Sequence, residues 1–124
     1  MIKMIVFNKR KEGVTMEEYR RYYETIHAPL AESFFPTVAK YRRNYVDHER
    51  SALTGRYPEN YLEDTDFDSV TEVFFKDWEA FETFRDRSAA PEVRARILED
   101  EHHFLDPTYI KRYIVVPDGD APWE

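Results

Sequence analysis

The stretch YYETIHAPL, residues 22–30, sets a histidine beside a proline inside an amphipathic pattern. Imidazole changes charge near neutrality without help from its surroundings, so His27 suits proton transfer. It follows Tyr23 by four residues and borders the same helical face. Pro29 denies the carbonyl of Thr25 its usual helical partner, which offers the imidazole a backbone group to hold it. The same facts also fit a histidine that bonds backbone at a kink and only packs. Glu72 is the second candidate. It stands mid-strand on one face with Val70 and Phe74, where a carboxylate is costly unless paired. Facing a pocket, it would be a general acid or base. Otherwise it pairs with Arg42, Arg43 or Arg112 on a neighbouring strand.

Asn44 offers an amide to a carbonyl or enolate oxygen, and Tyr41 and Tyr45 offer rings to a planar substrate. Strand pairing and dimer packing would use the same side chains. Glu99 and His102, in the run Glu99-Asp100-Glu101-His102-His103, have the E-x-x-H spacing of di-iron bundles. Those sites need a second such motif, and the chain has none, so the run reads as a solvated acidic helix end with no metal. One of its two histidines, His103, is expected to reach the cavity. His48, between Asp47 and Glu49, reads as a surface residue. No phosphate-binding glycine loop, G-x-S-x-G elbow or H-E-x-x-H helix occurs, and nothing suggests a nucleotide or flavin cofactor.

These residues need a frame. Residues 2–10 read as a first strand, 12–14 as a turn. Thr15 with Glu18 forms a capping box, and Met16, Tyr19, Tyr23, Ile26 and Leu30 then make one apolar stripe. The pattern predicts a helix broken at His27-Ala28-Pro29 and resumed to Phe35. Residues 38–48 predict strand two, with Tyr41, Arg43 and Tyr45 on one face and Lys40, Arg42 and Asn44 on the other. A long loop over 50–66, strand three over 67–76 and a helix capped by Asp77 follow, the helix turning Trp78, Phe81 and Phe84 inward. A second helical segment opens at Pro91, a favoured place for proline. Strand four covers 108–116, and residues 118–124 form a tail to a single domain over 1–117. The order strand, helix, strand, strand, helix, strand predicts an α+β, ferredoxin-like fold: a four-stranded antiparallel sheet with helices on one face. The bare face is expected to be covered by a second copy of the chain, giving a homodimer.

At 124 residues the chain suits one hydrophobic core. Its formal net charge of −7 argues against nucleic acid as partner, and no run is long and apolar enough for a membrane span. The absence of cysteine excludes disulfides and thiolate chemistry and fits a cytoplasmic protein. Aromatic residues make up 16% of the chain, enough ring surface to pack a core, line a pocket or cover an interface.

The aromatic pair before His27, Pro29 and Leu30 resembles the EthD family, whose members carry an aromatic residue shortly before a His-Ala-Pro-Leu sequence in the first helix. The opening IKMIVFNKRKEGVTMEEYRRYY, the KYRRNYV strand, TEVFFKDWEAF and EDEHHFLD extend the resemblance over nearly the whole chain. It implies a dimeric α+β barrel. Family members look like dehydratases and isomerases of aromatic polyketides, lactone isomerases, and proteins of unclear role in degradation operons. The wider superfamily adds cofactor-free oxygenases and haem-degrading enzymes. Taken with the residues, this predicts a cofactor-independent lyase or isomerase acting on a flat, oxygen-bearing small molecule. His27 and Glu72 would be catalytic, and Tyr23, Asn44, Tyr41, Tyr45 and His103 would bind substrate. The alternatives are a cofactor-free oxygenase on a hydroquinone or anthrone, and a non-catalytic binder of aromatic metabolites.

Overall fold

Strand alternation gives the sheet its two faces. In β1 (Ile2–Asn8), Met4, Val6 and Asn8 are buried while Lys3, Ile5 and Phe7 point to the other side. The structure, a computed structural model, describes residues 1–51, 53 and 67–116. Most of the expected 50–66 loop and all of the expected tail lie outside the described residues. After β1, Gly13 takes φ 87°, a left-handed conformation that suits a residue without Cβ. Thr15 then starts the first helix. Its hydroxyl accepts from the Glu18 N–H, and the Glu18 carboxylate accepts from the Thr15 N–H. Thr15→Ala removes this reciprocal cap and is expected to cost about 1 kcal/mol, read from urea unfolding.

The helix runs as α1 (Met16–Tyr22), a π-helical turn (Tyr23–His27) and α2 (Ala28–Phe34). The predicted break at Pro29 is therefore corrected: the backbone stays helical throughout. In the wide turn the Ala28 N–H bonds to the Tyr23 carbonyl, five residues back, and Pro29 falls in the first turn of α2. The extra residue absorbs both the missing proline donor and the bulk of its ring. It also shifts the phase of the apolar stripe. Tyr19, Tyr23, His27 and Ala28 are buried, whereas Ile26, expected inside, is 46% exposed.

The other elements are β2 (Val38–Tyr45), a short α3 (His48–Ser51), β3 (Ser69–Phe75), α4 (Trp78–Ala89), α5 (Pro91–Glu101) and β4 (Lys111–Val115). All pairings are antiparallel, in the order β2-β3-β1-β4, with Met4 opposite Val73 and Ile114, and Tyr41 opposite Val73. This is the expected ferredoxin-like α+β arrangement, a four-stranded sheet with its helices on one face. Phe75, fully buried, fastens α4 to the sheet through the rings of Phe81 and Phe84, 5.4 and 5.1 Å away. Trp78 was expected inward too, but it stacks on Phe81 at 4.8 Å and stays 47% exposed. No helix among the described residues is long and apolar enough to cross a membrane.

Candidate active site

A cavity of about 540 Å3 lies between the sheet and the helices. Met4, Val6 and Val73 form its apolar floor, and Phe81, Phe84 and Ile97 close it from the helix side. The π-helical turn delivers Tyr23 and His27 to its wall, both almost fully buried.

His27 is held by a carboxylate and not by the Thr25 carbonyl that the sequence suggests. Its Nδ1 lies 2.8 Å from Oδ2 of Asp100, on the last turn of α5. The Tyr22 hydroxyl donates to Oδ1 of the same carboxylate at 2.7 Å. Burial first, and then Asp100, pushes the Tyr22 phenol up to about 12, so it remains a donor. Asp100 is 2% exposed, and an acceptor-only carboxylate there takes the Nδ1 proton of the His27 ring. Nε2, without a protein partner among the described residues, is then the basic nitrogen of a ring on the cavity wall. The rings of Tyr23 and Phe104, centred 5.5 and 5.0 Å away, pack against the imidazole.

The neighbouring Glu101 also lines the cavity and is 7% exposed. Its pKa is raised above the usual carboxylate value because burial disfavours the anion; Arg112, 3.8 Å away, and His27 oppose this in part. The folded protein therefore favours protonated Glu101. Stability from this group is full at pH below the unfolded carboxyl value and is lost as pH rises through the raised folded value. Glu101→Gln removes the effect. The stability of the variant relative to wild type should increase with pH across that interval, measured by urea unfolding at a series of pH values.

A second polar group occupies the floor. The Asn8 amide donates to the Tyr23 hydroxyl at 3.3 Å, the Tyr23 and Thr71 hydroxyls are 2.8 Å apart, and the Tyr41 hydroxyl lies 3.5 Å from that of Tyr23. Burial raises the pKa of both Tyr23 and Tyr41, so these phenols stay neutral.

The structure brings together His27, Tyr23 and Tyr41 from the sequence-based set. It separates the rest. Glu72 is corrected: it lies on the opposite face of the sheet. There it pairs with Lys3 at 2.6 Å, stands 3.8 Å from Arg42 and accepts from the Asn44 amide at 3.1 Å. Lys3, more than any other group, holds its pKa below the usual range, which is unfavourable for an acid catalyst. Asn44 is corrected with it, since its amide also donates to the Val70 carbonyl on that outer face. Tyr45 is on the helix side, but its hydroxyl is spent on Glu24, which Arg43 grips with two hydrogen bonds of 2.7 and 2.9 Å. His103 is exposed and packs on Tyr22 outside the cavity wall. His48 is half-buried and not a free surface residue, its Nε2 2.8 Å from Asp68.

Asp100, Glu101, Asn8 and Thr71 were missed, though each carried a signal. Val93, Ile97, Asp100, Glu101 and Phe104 recur at helical spacing, which places two acids on the apolar stripe. Asn8 and Thr71 continue the buried alternations of Met4 and Val6 and of Val73 and Phe75. Among the described residues no group of three or more His, Asp or Glu is placed to hold a metal.

The fold is shared with solved structures at low identity. An EthD family protein from Bacillus halodurans is 17% identical over 95% of this chain and 99% of that one, with TM-score 0.61. An EthD-like protein from Ralstonia eutropha is 18% identical over 92% and 86%, with TM-score 0.58. A hydroxynitrile lyase from Passiflora edulis is 14% identical over 96% of both chains, with TM-score 0.54. No curated protein matches the chain. The EthD domain profile matches residues 11–108, most of the sequence and all of the elements that build the cavity except β1 and β4. The chain belongs to the EthD family.

Proposed function

We propose that this protein is a cofactor-independent lyase or isomerase acting on a flat, oxygen-bearing small molecule such as an aromatic polyketide or a lactone. The observation that carries the reading is the His27–Asp100 pair beside the buried Glu101. Asp100 fixes the imidazole so that Nε2 is the proton acceptor, and burial shifts Glu101 toward its proton-donating form. Such a pair can take a proton from carbon and give one to oxygen in the same cavity.

In a dehydration, His27 Nε2 removes the C–H proton while the Glu101 carboxyl protonates the departing hydroxyl, which leaves as water. In an isomerisation, His27 returns its proton at a different carbon. Asn8, Tyr23, Thr71 and Tyr41 face the substrate's oxygens, and the apolar floor accepts its rings. The hydroxynitrile lyase from Passiflora edulis shares the fold, but at 14% identity it does not carry its reaction to this chain. The protein works as a cytoplasmic homodimer, with the outer sheet face, where Ile5, Phe7 and Val70 are only partly covered, closed by a second copy.

Purified protein, without added cofactor, is incubated in D2O with a panel of butenolides and polycyclic hydroxyketones. NMR should show deuterium entering the acidic carbon position, or product, with no oxygen consumed. Oxygen uptake matched to product would instead identify a cofactor-free oxygenase. Saturable binding without exchange would identify a binding protein. Either outcome removes the lyase or isomerase reading.

A further inference from the structure

The cavity carries acid–base groups at one end and positive charge at the other. Arg94, Ile97, Leu98 and Glu101 all line it from α5, at spacings that put them on one face of the helix. Seven residues separate Arg94 from Glu101, which is about 10 Å along the axis. Arg85 and Ser88 line the cavity from α4. The chain turns at Ala90, which ends α4 and starts α5, so Arg85, Ser88 and Arg94 flank one corner. Arg94 has no ion-pair partner among the described residues, and Arg85 meets only its exposed sequence neighbour Asp86, at 3.3 Å. With Arg112, three arginines stand on the described wall against the carboxyls of Glu32 and Glu101. This is an excess of positive charge in a chain whose formal net charge is −7.

We infer that the Arg85–Ser88–Arg94 corner binds a carboxylate of the substrate, so that the substrate is a flat acid whose carboxylate lies remote from its reacting atoms. The inference rests on the reading of the His27 end as the reactive end. Guanidinium forks pair with planar carboxylates through two parallel hydrogen bonds, while the Ser88 hydroxyl, which donates to the Arg85 carbonyl at 2.9 Å, stands beside them as a neutral neighbour. Glu32, at the same wall, sets the opposite sign on the α2 side and leaves the α4–α5 corner as the cationic one.

The test compares anthraquinone-2-carboxylate with its neutral isostere, anthraquinone-2-carboxamide, by isothermal titration. Wild type should bind the acid about tenfold more tightly, with the advantage shrinking as salt is raised. The Arg85→Gln/Arg94→Gln protein should bind acid and amide alike, at the affinity of wild type for the amide. Both arginines are exposed, so the variant keeps the fold, checked by its melting curve. Equal affinities in wild type, an acid preference that survives the double substitution, or binding of neither probe overturns the inference. His27→Gln should leave the acid preference untouched. Preference without deuterium exchange would therefore defeat the catalytic reading alone, and exchange without preference would defeat this inference alone.

Discussion

Asp100→Asn is expected to lower turnover by about 100-fold or more while leaving the protein folded. Asparagine has the same shape but one acceptor oxygen in place of two. If that oxygen receives the Tyr22 hydroxyl, the amide NH2 faces His27 Nδ1, now 2.8 Å from a carboxylate oxygen. The imidazole must then carry its proton on Nε2, and the cavity-facing acceptor becomes a donor. His27→Ala removes the acceptor outright and should cost about 10²- to 10⁴-fold. It also strips a buried carboxylate of one of its two partners, so its turnover must be read below its own melting temperature. Deuterium exchange by NMR checks both variants. Full activity in His27→Ala removes His27 as the proton carrier, and full activity in Asp100→Asn removes Asp100 as the group that sets its tautomer.

Phe75→Ala should destabilise the protein by about 4 kcal/mol, a large share of the roughly 5–15 kcal/mol typical of a domain. The side chain is fully buried and meets the rings of Phe81 and Phe84, which themselves form the cavity wall. Its loss leaves a void between sheet and α4 that rings packed on both sides cannot easily fill. Urea unfolding measures the change. A cost below about 1 kcal/mol would mean that α4 collapses onto the sheet and that the cavity wall is not held by this contact.

The architecture was legible because strand and helix periods differ and the capping signals are strong. Thr15 with Glu18, Asp77 and Pro91 each mark a helix start where one is found. The expected strand ends were too generous, since polar flanks such as Lys9 and Arg10 prolong an alternating pattern without prolonging the ladder. The π-helical turn was not legible, because a proline after His27 reads equally as a break or as the first turn of a continued helix. That turn decides which of Ile26 and His27 is inside. Glu72 shows the other limit. Alternation gives the residues that share a face with it, Val70 and Phe74, but not which face meets the helices. Pairing with Arg42 was among the expected outcomes, and Lys3, opposite Phe74 on β1, adds the stronger hold. The acidic run failed for a different reason: consecutive charges read as solvated, although two adjacent members fall on a buried helical face. Glu99, His102 and His103 are exposed; Asp100 and Glu101 are not.

The orientation of one imidazole proton is the foundation of the mechanism, and long-range 1H–15N correlation NMR on 15N-histidine-labelled protein reads it directly. The His27 ring should show a protonated Nδ1 and a bare Nε2, with the Nε2 resonance moving when a flat ligand such as anthraquinone-2-carboxylate fills the cavity. A proton on Nε2, or an Nε2 resonance indifferent to that ligand, would contradict the account.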